Sequence, residues 1–341
     1  MSTSSRRALR ALGIFTSASA TLLLLAGCSS SDDTADGNFE ATMQLGWIAN
    51  VENMGPYVAE RDGLYADQGV DLTIAPGGPS TTVEPLVQSD KVLVGVSSTD
   101  TIARANTEGA DLVIVAATLQ VNPTSIMSLA DAPVNTLEDL IGKRLCIQTS
   151  GVAGMDAILA QNGIDKDDVE YVTADFDPSP LVAGDCDAFL SFLNNQPITL
   201  QQQGIDTVTF TLDKYGYNSW GDVLFVKRSS LEDEAKRDAI TGIVAATQKG
   251  WETALADTDA AAEYVVEGPG KDQNLDLEQQ KLAAVTYIDL VATDETKANG
   301  LLTMSEDGIA ANIKTLEDQG VEGDFDTLFD TSVLDDIANE N

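Results

Sequence analysis

The chain has 341 residues, more than one hydrophobic core serves well, and its 43% hydrophobic content and mean hydropathy of −0.04 suit a folded, two-lobed protein rather than a disordered one. Lys and Arg number 19 against 55 Asp and Glu, a formal net charge of −36 that repels phosphate backbones and speaks against nucleic-acid binding. His is 0 and Cys is 3, so catalysis built on Ser-His-Asp or Cys-His, imidazole zinc sites and thiolate metal clusters are excluded, and no metal or cofactor is expected.

At the N-terminus, Arg6, Arg7 and Arg10 precede an apolar run from Gly13 to Leu25. This order marks residues 1–27 as an export signal, the run being too short for a membrane span. A basic leader explains Arg6-Arg7, and twin-arginine export is the alternative. Leu25-Ala26-Gly27-Cys28 resembles the lipobox of bacterial lipoproteins. That resemblance implies cleavage after Gly27, a diacylglycerol with palmitate chains on Cys28, and residues 28–40 as a polar tether. Loss of residues 1–27 removes three arginines and no acid, so the tethered body is a still stronger polyanion.

From Ala41 onward, β-rich runs alternate with amphipathic helical stretches, the pattern of parallel sheets with crossover helices. Strands are expected at Thr42–Trp47, Val70–Ala75, Val92–Val96, Leu112–Ala117, Arg144–Gln148, Val169–Thr173, Asp187–Leu190, Thr207–Thr211 and Asp222–Lys227. Gly69, Gly109, Gly163 and Gly204 stand where helices end. Asn135 with Glu138 has a capping-box pattern opening a helix at Thr136–Ile141. Beyond Leu231 the chain reads as helix, with an apolar stripe at Ile240, Ile243, Val244, Thr247 and Trp251. The expected division is a first lobe of residues 41–129 plus 228–341, which includes the helical tail, and a second lobe of 130–227. Hinges are expected near Leu119–Leu129 and Trp220–Lys227.

In open parallel sheets, ligands bind beyond the carboxyl ends of strands, where helix N-termini offer free N–H groups. Three small polar turns occupy that position: Trp47 to Asn53, with Asn50 and Glu52; Ser97-Ser98-Thr99-Asp100; and Gln148 to Gly154, with Thr149, Ser150 and Gly151. Gly77-Gly78-Pro79 is a fourth small loop, without the Lys-Ser/Thr of a P-loop. The carboxylates Glu52, Asp100, Asp177 and Asp222 lie near predicted cleft edges and could bond amino or ring N–H groups, and Asn194 is a further candidate. Trp47 and Trp220 are candidates to stack on a flat heterocycle, whereas Trp251 belongs to the core. Cys146 and Cys186 lie in or beside strands that can be neighbours. In an exported chain they are expected to form a disulfide, two buried free thiols being the alternative.

Gly46-Trp47-Ile48, the helix carrying Tyr57-Val58-Ala59-Glu60-Arg61-Asp62-Gly63-Leu64-Tyr65, Gln68-Gly69-Val70-Asp71-Leu72 and Pro76-Gly77-Gly78-Pro79 resemble the opening of the thiamine-pyrimidine-synthase-like group of solute-binding proteins. The likeness continues through Leu137 to Lys143, Ala183 to Ala188 and Gly221 to Val226, and spans roughly residues 42–320. It implies an α/β, type II periplasmic-binding-protein-like clamshell with a C-terminal helical tail packed on the first lobe. It also implies a monomeric, lipid-anchored component on the outer face of the cell membrane, working with an ABC permease and its ATPase. The solute implied is a thiamine pyrimidine precursor or a riboflavin-like heterocycle, with a sulfonate, nitrate or taurine-type oxyanion as the alternative. The residues expected to bind it are Trp47, Asn50, Glu52, Asn53, Tyr57, Gly78, Ser97, Ser98, Thr99, Thr149, Ser150, Gly151, Asp177, Asn194 and Trp220. Pyrimidine-binding relatives often carry His after the first Trp, where this chain has Glu52-Asn53. Pyrimidine-building enzymes of the fold need a His and a cysteine-rich iron motif, both absent here.

Overall fold

The structure, a computed structural model, describes residues 37–340. The export signal, Cys28 and most of the tether lie outside these residues. Two five-stranded sheets form the frame. The first has the order β2-β1-β3-β10-β4, from β1 (Phe39–Gln44), β2 (Val70–Ala75), β3 (Val94–Ser97), β4 (Leu112–Leu119) and β10 (Gly221–Lys227). The second has the order β7-β6-β8-β5-β9, from β5 (Thr124–Leu129), β6 (Arg144–Ile147), β7 (Glu170–Thr173), β8 (Ala188–Phe192) and β9 (Thr207–Thr211).

The sheets share one plan. Three parallel strands are followed by an antiparallel strand that arrives from the other sheet: β10 runs antiparallel to β3 and β4, and β5 antiparallel to β8 and β9. The crossings are residues 120–123 and 212–220, and Asn122 Nδ2 ties them together by donating to Ser219 O at 2.6 Å. The sequence reading placed Thr124–Leu129 in the first lobe and Asp222–Lys227 in the second; strand pairing puts each in the opposite sheet. Strand β5 escapes a hydrophobicity pattern because Ser125 and Ser128 are buried in it. Ser125 Oγ meets Ser191 Oγ at 2.9 Å, and Ser128 Oγ accepts from Val134 N at 2.9 Å, so these hydroxyls lie inside the sheet without an unmade hydrogen bond. The first strand also begins earlier than expected, inside the stretch assigned to the tether.

Strand β4 is buried along its whole length because helices cover both faces of its sheet, which an uninterrupted apolar run such as Leu-Val-Ile-Val demands. One face receives α1 (Met54–Arg61), α8 (Glu234–Ala256), α9 (Thr258–Glu267) and α10 (Leu277–Val291). The predicted stripe from Ile240 to Trp251 lies on α8 and is fully buried. There α1 and α8 cross almost backbone to backbone: a Cβ on Gly250 would lie 2.2 Å from Gly55 O, and one on Gly55 would lie 2.4 Å from the Trp251 ring. This crossing fixes the 3-10 turn Val51–Asn53 that leads into α1. The other face is closed by α4 (Thr99–Thr107), α12 (Glu306–Asp318) and the segment around Phe325–Phe329. The tail therefore packs on the first sheet.

In the second sheet, Cys146 of β6 and Cys186, just ahead of β8, are joined by a disulfide with Cα atoms 5.6 Å apart. The expected helix Thr136–Ile141 is only a 3-10 turn at Glu138–Leu140. Its cap is formed by Asp139, which accepts from Asn135 N and Thr136 N, while Thr136 Oγ1 accepts from Asp139 N.

Candidate functional site

A cavity of about 500 Å³ lies between the two sheets, at the carboxyl ends of their parallel strands. The first sheet supplies Gly46, Trp47 and Glu52 after β1, and Ser97, Ser98, Asp100 and Arg104 at β3 and α4. The second supplies Gln148, Ser150, Gly151 and Gly154 at the start of α5 (Val152–Gln161), Phe176 after β7, and Phe192 and Asn194 at the end of β8. Because β10 is antiparallel, its first residues rather than its last reach this rim, and Asp222 enters the wall there. Tyr287 comes from α10 in the tail.

Glu52 and Asp222 are the centre of the electrostatics. Their carboxyls approach closely enough to hydrogen-bond, and Asp222 Oδ2 has no hydrogen-bond partner. Removal from solvent, reinforced by the Asp222 charge, holds Glu52 well above the usual carboxylate range; removal from solvent pushes Asp222 up to about 7. The two groups titrate as a pair that keeps a proton near neutrality. Asp222 has a φ of 49°, in the left-handed region that Asp tolerates better than most residues, so backbone strain is spent on bringing this carboxyl to the wall. Asn50 caps the opposite turn, its Oδ1 accepting from Glu52 N at 3.0 Å, and thereby positions Glu52.

The aromatic part of the wall spans both halves. Trp47 meets Phe176 edge-on with centroids 5.8 Å apart, and Phe176 lies 6.4 Å from Phe192. Asn194 Nδ2 donates to Tyr287 Oη at 2.6 Å, a link between the end of β8 and the tail. Burial, with the Glu52 and Asp222 charges behind it, keeps the Tyr287 phenol far above its ordinary range and therefore neutral. The wall can thus stack a flat solute and meet its polar edge with carboxyls.

Residues 50–261 match the family described as NMT1/THI5 like. The chain belongs to this family. Among relatives, a putative thiamine biosynthesis protein of Haemophilus influenzae is 26% identical over 60% of this chain and 67% of its own length. A formylaminopyrimidine-binding protein of Halalkalibacterium halodurans is 23% identical over 70% of this chain and 74% of its own. The periplasmic aliphatic sulphonate binding protein of Escherichia coli shares the fold with a TM-score of 0.63 at 15% identity, covering 82% of this chain and 85% of that one. The fold is therefore that of periplasmic binding proteins.

Within this NMT1/THI5-like chain the cavity brings together Trp47, Glu52, Ser97, Ser98, Ser150, Gly151 and Asn194 of the residues expected from sequence. The others lie elsewhere, each for a local reason. Asn53, at the N-cap of α1, and Tyr57, within α1, are buried, and Thr99 is buried with its Oγ1 donating to Trp220 O at 3.2 Å. Gly78 and the exposed Thr149 are off the wall. Asp177 is exposed and accepts from Ser179 N and Oγ. Trp220 is a core residue, packed edge-on against Phe329 at 5.9 Å and only 4% exposed, so it cannot stack on a solute in the cavity. Gln148 opens one of the turns expected at the site, whereas Phe176, Phe192 and Tyr287 were not foreseen. The two phenylalanines follow or end strands and obey the same positional rule as the turns that were chosen; Tyr287 sits mid-helix, where no local signal marks it.

Proposed function

We propose that this protein is the extracytoplasmic solute-binding lipoprotein of an ABC importer, which captures a small nitrogen heterocycle of the thiamine-pyrimidine or riboflavin-like class. It delivers the solute to a membrane permease driven by its ATPase, and it acts as a binding protein rather than an enzyme. The observation that carries this reading is the cavity between the sheets, with Trp47, Phe176 and Phe192 on its aromatic wall and the Glu52–Asp222 pair on its polar one. A pyrimidine offers a ring face to the first and N–H and ring-nitrogen groups to the second. The two halves, residues 39–119 with 221–340 and residues 124–211, would close on the solute about the crossings at 120–123 and 212–220.

A sulfonate, nitrate or taurine-type anion is the second reading, favoured by the start of α5 at the wall, where the Gly151 cap makes no side-chain hydrogen bond. Thermal shift against both solute classes separates the readings, since a ligand at 100 times its Kd adds about 2.7 kcal/mol to stability. Stabilisation by heterocycles and not by the anions is expected; the reverse rejects the first reading. Trp47→Leu keeps bulk and removes the ring, and is expected to weaken heterocycle binding by about 0.5–1.5 kcal/mol, roughly twofold to twelvefold in Kd. An unchanged Kd measured by calorimetry would make Trp47 scaffold.

The anchor has a separate test. Cys28→Ser is expected to release the protein from the membrane fraction into the soluble one. Retention on membranes would contradict the lipid anchor.

A further inference from the structure

Several polar residues of the cavity wall have already used their donors inside the protein. Ser97 gives its hydroxyl proton to Glu84 Oε1 at 2.5 Å, which leaves only oxygen lone pairs for a solute. Asn194 Nδ2 is held by Tyr287 Oη, while Asn194 Oδ1 is buried and has no partner. Gln148 Nε2 donates to Asp175 O and Leu190 O, both at 3.2 Å, leaving its Oε1. With the carboxyls of Glu52 and Asp222, this part of the wall presents mainly acceptors, the Tyr287 hydroxyl beside them keeping its own proton to donate. Arg104, the cation of the wall, shares α4 with Asp100 and donates to Gln319 Oε1 at 3.3 Å.

We propose that the cavity takes its solute as a cation, with an amidinium-like N–H edge laid against the Glu52 and Asp222 carboxyls and the oxygens of Ser97, Asn194 and Gln148. The proposal rests on the solute-binding reading above and narrows its ligand class. A planar N–C–N edge with donors on both nitrogens matches a carboxylate in two parallel charge-assisted hydrogen bonds, and an anion laid against these two carboxyls would be repelled. The other titratable groups lining the cavity are Tyr287 from α10 and Tyr217 from the crossing at 212–220, both kept neutral by burial, and Asp100 and Arg104 from α4. A bound permanent cation favours the ionised pair and expels its shared proton. Affinity for such a cation therefore rises with pH until that proton is gone.

The test is calorimetric titration of the purified protein with benzamidine, benzamide and benzenesulfonate, one flat ring carrying a positive, neutral or negative group. Benzamidine is expected to bind about tenfold or more tightly than benzamide at pH 8, as charge-assisted hydrogen bonds predict, and benzenesulfonate to give no saturable heat. Benzamidine affinity is expected to rise about threefold or more from pH 6 to pH 8. Asp222→Asn should remove that rise and weaken benzamidine about tenfold; Glu52→Gln provides the same readout at the other carboxyl. Benzamide binding as tightly as benzamidine, absence of saturable benzamidine binding, or a flat pH profile each overturns the proposal. Tight, pH-independent binding of a neutral heterocycle would overturn the cation and leave the heterocycle reading standing, whereas preference for benzenesulfonate would overturn both.

Discussion

Asp222→Asn is expected to stabilise the solute-free protein at pH 8, by something on the order of 2–4 kcal/mol, and to leave its stability nearly unchanged at pH 4. The carboxyl is pushed up to about 7 by desolvation beside Glu52. A carboxyl that holds its proton more tightly folded than unfolded lends full stability below the unfolded value near 4, and loses it as pH rises to about 7. Asn removes that loss in three ways: it carries no charge, its amide can donate to the Glu52 carboxylate, and it accepts the φ of 49° at least as readily as Asp. Urea unfolding of both proteins at the two pH values measures the difference. An equal effect at pH 4 and pH 8 would mean that Asp222 is not held protonated by the fold. A residue that costs stability where it stands marks a position kept for binding, the usual exchange at functional sites.

Removing the disulfide is expected to lower stability by about 4 kcal/mol, as the chain-entropy model gives for a loop of this length, here a sequence separation of 40. The variant is Cys146→Ala with Cys186→Ala. Both positions are buried among Met127, Leu181, Phe189 and Leu200, so Ala avoids placing an unpaired hydroxyl there. The bridge ties β6 to the entrance of β8, the two strands whose carboxyl ends present Gln148 and Asn194 to the cavity, so its loss should also loosen the second half of the wall. The expected result is a lower urea midpoint, reproduced in the parent protein by reductant. Equal midpoints, with both thiols of the unreduced denatured parent open to alkylation, would contradict the bridge.

What the sequence disclosed follows from how locally each feature is encoded. Strand β4 and helix α8 announce themselves, the first by an uninterrupted β-branched run and the second by its three-and-four stripe. The disulfide was legible because parallel neighbours brought Cys146 and Cys186 together. Strand β5 was hidden because its buried serines find hydrogen-bond partners that only the folded sheet supplies. In the site, Trp47, Glu52, Ser97 and Ser150 came from the rule that ligands sit beyond strand ends. Trp220 failed because an aromatic beside a crossing can face the core as readily as the cleft, and α12 and Phe329 decide that by packing against it. Asp222 was a cleft-edge candidate from sequence, and it reaches the rim because β10 is antiparallel, which brings the start of a strand to where parallel strands bring their ends. Tyr287 lies on α10 (Leu277–Val291), far beyond the end of β10 at Lys227 in the chain, and nothing in its own helix distinguishes it from a core tyrosine.

The central claim is that the cavity between the sheets captures a nitrogen heterocycle and not an oxyanion, and one calorimetric titration tests it most directly. Formylaminopyrimidine and a short alkanesulfonate are titrated separately into the purified protein at neutral pH. Saturable one-to-one binding of formylaminopyrimidine, weakened in Trp47→Leu, with no saturable heat from the sulfonate, is the predicted result. Saturable binding of the sulfonate, with none of the pyrimidine, would contradict the account.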